Sequence, residues 1–308
     1  MKKIYLILII AMLVFSGCKE EEEDSVTDSG VTATSPLIDS ATQEQYADDA
    51  VAAAGWTQAE LTPITSDEAA GYSSNTGGEV TNAIANATSQ GSMAAARASM
   101  GFLVQISIAR NPQITPISQT IDQTVTCSGG GAIYIKGSKE GTDEEEYTAT
   151  TFMGHEITTS TVAYNATACV NEDGYTIWGQ GKMTDYGDNL REGVVTSGEL
   201  SAGSTWSGTM VINGTGTSKI TDGLAVLAPD GTKHRLLSDL DGNMVLTMDG
   251  TVQSNDTGDP PVYTPTSSSI RISLIGTFNE FTCRMDKTYP LDANGQLAQD
   301  ISGDIVCQ

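Results

Sequence analysis

"SIRISLIGTF", residues 269–278, changes residue type at almost every step. Ile270, Ile272, Leu274, Gly276 and Phe278 fall on one side, and Arg271, Ser273 and Thr277 on the other, with Ile275 the exception. A period of two is the pattern of a half-buried β-strand, whose successive side chains point to opposite faces. The same period runs through "TWSGTMVING", with Trp206, Gly208, Met210 and Ile212 on its apolar side, and through "NMVLTMDGTV", with Met244, Leu246, Met248, Gly250 and Val252. "TIWGQGKM" aligns Ile177, Gly179, Gly181 and Met183, and "ISGDIVC" aligns Ile301, Gly303, Ile305 and Cys307. Each time a glycine lies on the apolar side. Glycine inside a strand marks a bend, a bulge or the close approach of another backbone.

Upstream the period changes. Val80, Ile84, Ala87, Gly91, Ala94, Ala98 and Phe102 recur every three or four residues, which predicts a helix from about Gly78 to Ser99 with a nearly bare face. An interior glycine costs a helix about 1 kcal/mol relative to alanine, so close contact must repay Gly91. The expected architecture is therefore mainly β with N-terminal helices (α+β): a curved antiparallel meander packed on a small-residue helix. In this reading Gly91, Ala94 and Ala98 meet Gly208, Gly250, Gly276 and Gly303. Asp173-Gly174, Asp230-Gly231, Asp241-Gly242 and Asn294-Gly295 are read as hairpin turns. A shorter helix is expected within "YADDAVAAAGW", ending at Gly55.

The chain's first residues have another character. Lys2 and Lys3 precede an apolar run from Ile4 to Phe15, then Ser16-Gly17 and Cys18. A membrane-spanning helix needs about 20 apolar residues, so the shorter run reads as a secretion signal over residues 1–17. Phe15-Ser16-Gly17-Cys18 resembles the lipobox of bacterial lipoproteins, with Phe15 where leucine is usual. That resemblance implies cleavage before Cys18 and acyl chains, palmitate among them, on its sulfur and amine. Two or more acyl chains hold a protein stably on a membrane. Lys19 stands where aspartate would imply retention in the inner membrane, so the resemblance implies the outer membrane. Lys19 followed by Glu20 to Glu23 is similar to the tag that some Gram-negative groups use for export to the cell surface; a solvated acidic spacer accounts for it equally well.

Residues 18–45 are rich in serine, threonine and acid and lack aromatics before Tyr46, and are expected to be a disordered tether. Residues 46–308 then form one globular domain, helical over about 46–111 and β from about 116. Without residues 1–17 the chain keeps 13 basic and 39 acidic residues, a net charge of −26. Nucleic acid is a poor partner, because phosphate recognition needs clustered Lys and Arg. The expected partner is the membrane, through Cys18; a protein or glycan partner is not specified.

Four further cysteines in an exported chain suggest two disulfides. A hairpin turning near Asn294-Gly295 would set Cys283 opposite Cys307, leaving Cys127 for Cys169. No C-x-x-C occurs and only two histidines are present, so no metal or cofactor is expected. No G-x-S-x-G occurs, and no S-x-x-K outside the leader. His155 is expected in a turn and His234 in solvent; Glu144, Glu145 and Glu146 read as an exposed loop, and "DLDGN", residues 239–243, as a turn rather than a calcium loop. Two functions remain: a non-enzymatic lipoprotein for binding, adhesion or structure, and a carrier of an apolar ligand between sheet and helix.

Overall fold

The computed structural model describes residues 37–70, 113–171, 173–198, 200, 204–254, 262–291 and 304–308. The tether as far as residue 36, Cys18, Asn294-Gly295, Gly303, and the predicted helix with Gly91, Ala94 and Ala98 lie outside them.

The described chain is mostly β. Nine strands form one sheet in simple sequence order, every neighbouring pair antiparallel. They are β1 (Gln113–Thr126), β2 (Ala132–Tyr147), β3 (Thr151–Val170), β4 (Thr176–Ser197), β5 (Trp206–Leu227), β6 (Lys233–Ser254), β7 (Val262–Phe278), β8 (Phe281–Pro290) and β9 (Val306–Cys307). The predicted meander is therefore present. Asp173-Gly174 and Asp230-Gly231 do turn the chain, between β3 and β4 and between β5 and β6. Asp241-Gly242 does not: it lies in the middle of β6, paired on one side with Lys219 and Ser218 and on the other with Ile275 and Leu274. Asp241 is held there by Lys219, whose Nζ donates to its carboxylate at 2.9 Å.

The alternation resolves into two faces. On one, Ile133, Ile135, Val162, Tyr164, Ile177 and Leu236 are at most 3 % exposed and belong to the main apolar core. The apolar sides read from "TIWGQGKM", "TWSGTMVING" and "NMVLTMDGTV" all face this way, although Met210 is only half-buried. In β7, Ile272 and Leu274 are half-buried while Ser273, on the opposite side, is buried and donates to Asp286.

Helix α1 (Ser40–Ala53) begins inside the segment expected to be tether. Asp39 caps it by accepting from Thr42 N–H at 2.7 Å. At its other end Gly55 takes φ +74°, Gly55 N–H donates to Ala52 O and Trp56 N–H to Val51 O, which closes the last turn. The end at Gly55 is as predicted; the beginning is earlier because the buried residues Gln43, Ala47, Ala50 and Val51 are small or polar and give little apolar signal. A further helical stretch, residues 66–70, starts with a reciprocal cap: Thr65 N–H donates to the Glu68 carboxylate and Glu68 N–H to the Thr65 hydroxyl. Among the described residues no helix is long and apolar enough to cross a membrane.

Several strand glycines are closely approached by neighbouring backbone. A Cβ on Gly208 would lie 2.4 Å from Val194 O, and one on Gly276 2.3 Å from Asp239 O. Gly250 stands at a register shift opposite Pro265, against the Tyr263 ring at 2.5 Å. Among the described residues these three meet neighbouring strands; the helix expected to meet them lies outside the described residues. Among the described residues Gly223 admits a helix: a Cβ there would lie 2.3 Å from Gln43 O and 2.5 Å from Ala47 N. Gly223 and Ala225 face α1 while Leu224 and Val226 face the main core, so residues 221–226 are buried without alternation.

Both disulfides join the predicted partners: Cys127 to Cys169, and Cys283 to Cys307, which sit directly opposite in β8 and β9.

Candidate functional site

Two polar regions stand out on this sheet, one on each face. The first interrupts the core face of β2, β3 and β4. Register sets Lys139 opposite Ser160, Ser160 opposite Asp185 and Asp185 opposite Ser218. Two rungs along, Asp143, Glu156 and Asn189 stand opposite one another. Lys139 Nζ lies 4.0 Å from Glu156, Ser160 donates to Asp185 at 3.1 Å, and Arg191 reaches Asp143 at 3.4 Å. The side chains of Lys139 and Glu156 are 10 % and 13 % exposed, so they meet little water. Burial pushes the Glu156 carboxyl up to about 7 against the opposing pull of Lys139, and Asp185 up to about 6 against the hydroxyls of Ser218 and Ser160. Burial drives Lys139 down for the same reason.

Farther along the same face Asp222 is buried between two hydroxyls. Tyr164 and Ser238 each donate to it at 2.5 Å, while Gln43 of α1 donates to the carbonyls of Asp222 and Ser238 at 2.8 Å. Burial outweighs both hydroxyls and raises Asp222 to about 6. A carboxyl near neutrality is what a general acid needs, but Tyr164 and Ser238 lock this one between β3 and β6, and the carbonyls of Asp222 and Ser238 hold α1. We read this cluster as structural.

These shifts predict an acid-stabilised fold. Asp185, Asp222 and Glu156 have folded values of about 6, 6 and 7, above the ordinary 3.8 and 4.5. Between those limits the folded chain holds protons that the unfolded chain has lost, so the stability these three groups contribute is full below about pH 4 and declines as pH rises through 6 to 7. The melting temperature should therefore be higher at pH 5 than at pH 8. Asp222→Asn, which resembles the protonated group, should flatten that dependence and melt higher than the parent at pH 8. A parent that melts higher at pH 8 than at pH 5 would refute the assignment.

The second region lies on the opposite, exposed face. His155 is in β3, not in a turn, and its Nε2 is 3.0 Å from Asp188, which also accepts from Tyr186 O–H at 3.0 Å. His234 is also misplaced by the sequence reading: it is fully buried, with Nδ1 3.0 Å from Thr62 O, because residues 61–69 fold over the ends of β5 and β6. Glu144, Glu145 and Glu146 lie in β2 and not in a loop; Glu145 is half-buried and its carboxyl is raised, first by burial and then by Asp143. Beside His155 a depression of about 430 Å³ opens where β2 turns into β3. Phe152, Met153, Val194 and Val211 form its apolar part, and Glu146 and Glu192 line it as well. Val194 is 51 % exposed.

The reading from sequence found neither region. Both depend on which strands are neighbours, and only register brings Lys139 to Glu156 or Glu146 to Glu192. A usable signal was present in "KGSKEGTDEEEY", residues 136–147, where charge occupies both sides of a strand.

Among the described residues no group of three or more His, Cys, Asp or Glu is placed to hold a metal ion. No protein-family model, no curated protein and no solved structure matches the chain.

Proposed function

We propose that the protein is a lipoprotein of the outer membrane, anchored through acyl chains on Cys18 and facing the periplasm or the cell surface, with a non-enzymatic binding, adhesion or structural role. The observation that supports binding is the open apolar depression at Met153, Val194 and Val211, on the exposed face of the sheet. Exposed apolar surface collected in one place is a common mark of an interaction site. The anchor rests on the resemblance of Phe15 to Cys18 to a lipobox.

In the same proposal the sheet is curved, and the stretch from Gly78 to Ser99, with Gly91, Ala94 and Ala98, packs on it as a helix. Gly187 and Gly216, buried and paired across β4 and β5, support close approach. The carrier reading needs space between that helix and the sheet, and the helix lies outside the described residues.

Metabolic labelling with a palmitate analogue tests the anchor. The full chain should carry label and sediment with membranes, and Cys18→Ser should lose both. Label retained by Cys18→Ser would overturn the proposal.

A further inference from the structure

The depression on the exposed face has a charge pattern that selects a ligand class. Register places Glu146, Met153, Glu192 and Val211 in one line across β2, β3, β4 and β5. Carboxylate and apolar side chain therefore alternate at the strand spacing, and the two carboxylates are about 10 Å apart, two strand spacings. The next line is Thr151, Val194 and Thr209, neutral throughout. No basic residue lines the depression. The nearest described basic side chains are committed elsewhere: His155 is bonded to Asp188, and Arg191 lies on the core face, 3.4 Å from Asp143.

A neutral apolar ligand would cover Met153, Val194 and Val211 but would strip water from two carboxylates without compensating them, which is unfavourable. An anion would be repelled. A chain with apolar side chains and Lys or Arg at intervals satisfies both features, with its aliphatic stems on the apolar part and its charged heads at the margin. The net charge of −24 would also draw such a chain toward the protein.

We propose that this depression docks an extended, cationic and apolar peptide segment of a partner protein, with Glu146 and Glu192 each receiving a Lys or Arg. The assignment rests on the binding role proposed above and adds the partner's chemistry to it.

Fluorescence anisotropy on the detergent-solubilised full chain tests it, with labelled, end-blocked peptides of alternating Val-Lys, Val-Glu and Val-Ser. The Val-Lys peptide should bind, and the other two should not. Glu146→Gln with Glu192→Gln should weaken binding by about tenfold or more. Val194→Ser should weaken it several-fold at unchanged charge, a response that diffuse attraction to an acidic protein would not give. Equal binding by parent and Val194→Ser, or by parent and the double Gln variant, would overturn the proposal. So would spermidine displacing the peptide at equal concentration, since that would mark a site for small polycations. Failure of the peptide to bind while Cys18 remains acylated would remove the ligand assignment and leave the anchor reading intact.

Discussion

Replacing Cys127 and Cys169 with alanine is expected to lower the free energy of unfolding by about 4 kcal/mol. The bridge closes a loop with a sequence separation of 42 and ties the start of the β1–β2 turn to the end of β3. Without it the unfolded chain regains the freedom of that loop. Both cysteines also belong to the buried core, at 5 % and 0 % exposure, so truncation removes packing as well. Urea unfolding of the double variant against the parent measures the loss. A midpoint within experimental scatter of the parent would mean that the bridge contributes nothing to the folded state.

Gly223→Leu is expected to cost about 3 kcal/mol, as overpacking of a tight contact does. The first added carbon meets backbone atoms of Gln43 and Ala47, which no side-chain rotation can move. The helix must lift, and Gln43 then loses its bonds to the Asp222 and Ser238 carbonyls. Trp56 packs edge-on against Trp178 at 5.2 Å beyond the end of the helix, so tryptophan fluorescence and near-UV circular dichroism should change along with melting. Unaltered spectra and melting would show that α1 is not held where it is described.

The strands were legible because their apolar residues take every second place and survive many exceptions. "NMVLTMDGTV" keeps five core positions in ten residues, and all five are buried, so the pattern carries its own confirmation. The disulfide pairing followed from the meander, since consecutive antiparallel strands bring Cys283 to Cys307 without knowledge of anything else. Helix α1 was legible only at its end. Gly55 signals a stop on its own, whereas the burial of Gln43 and Ala47 makes sense only once Gly223 and the Ser238 carbonyl are known. Asp241-Gly242 misled because the same dipeptide suits a tight turn and an ordinary strand with a cross-strand lysine. A Cβ on Gly242 would find its nearest neighbour at 3.8 Å, so nothing in β6 demands glycine there. The charged layer from Lys139 to Arg191 was invisible for a related reason. Each residue looks solvated in its own strand, and only neighbours from other strands bury it.

The attachment of α1 has a mechanical consequence. Leu37 N–H bonds Thr221 on β5, and Arg235 on β6 grips Glu44 and Asp48 of α1. A load borne by α1 thus enters at the middle strands rather than at β1. An outer strand pulled from its end would peel away one rung at a time, but a load delivered here must shear α1 off the sheet before any rung opens.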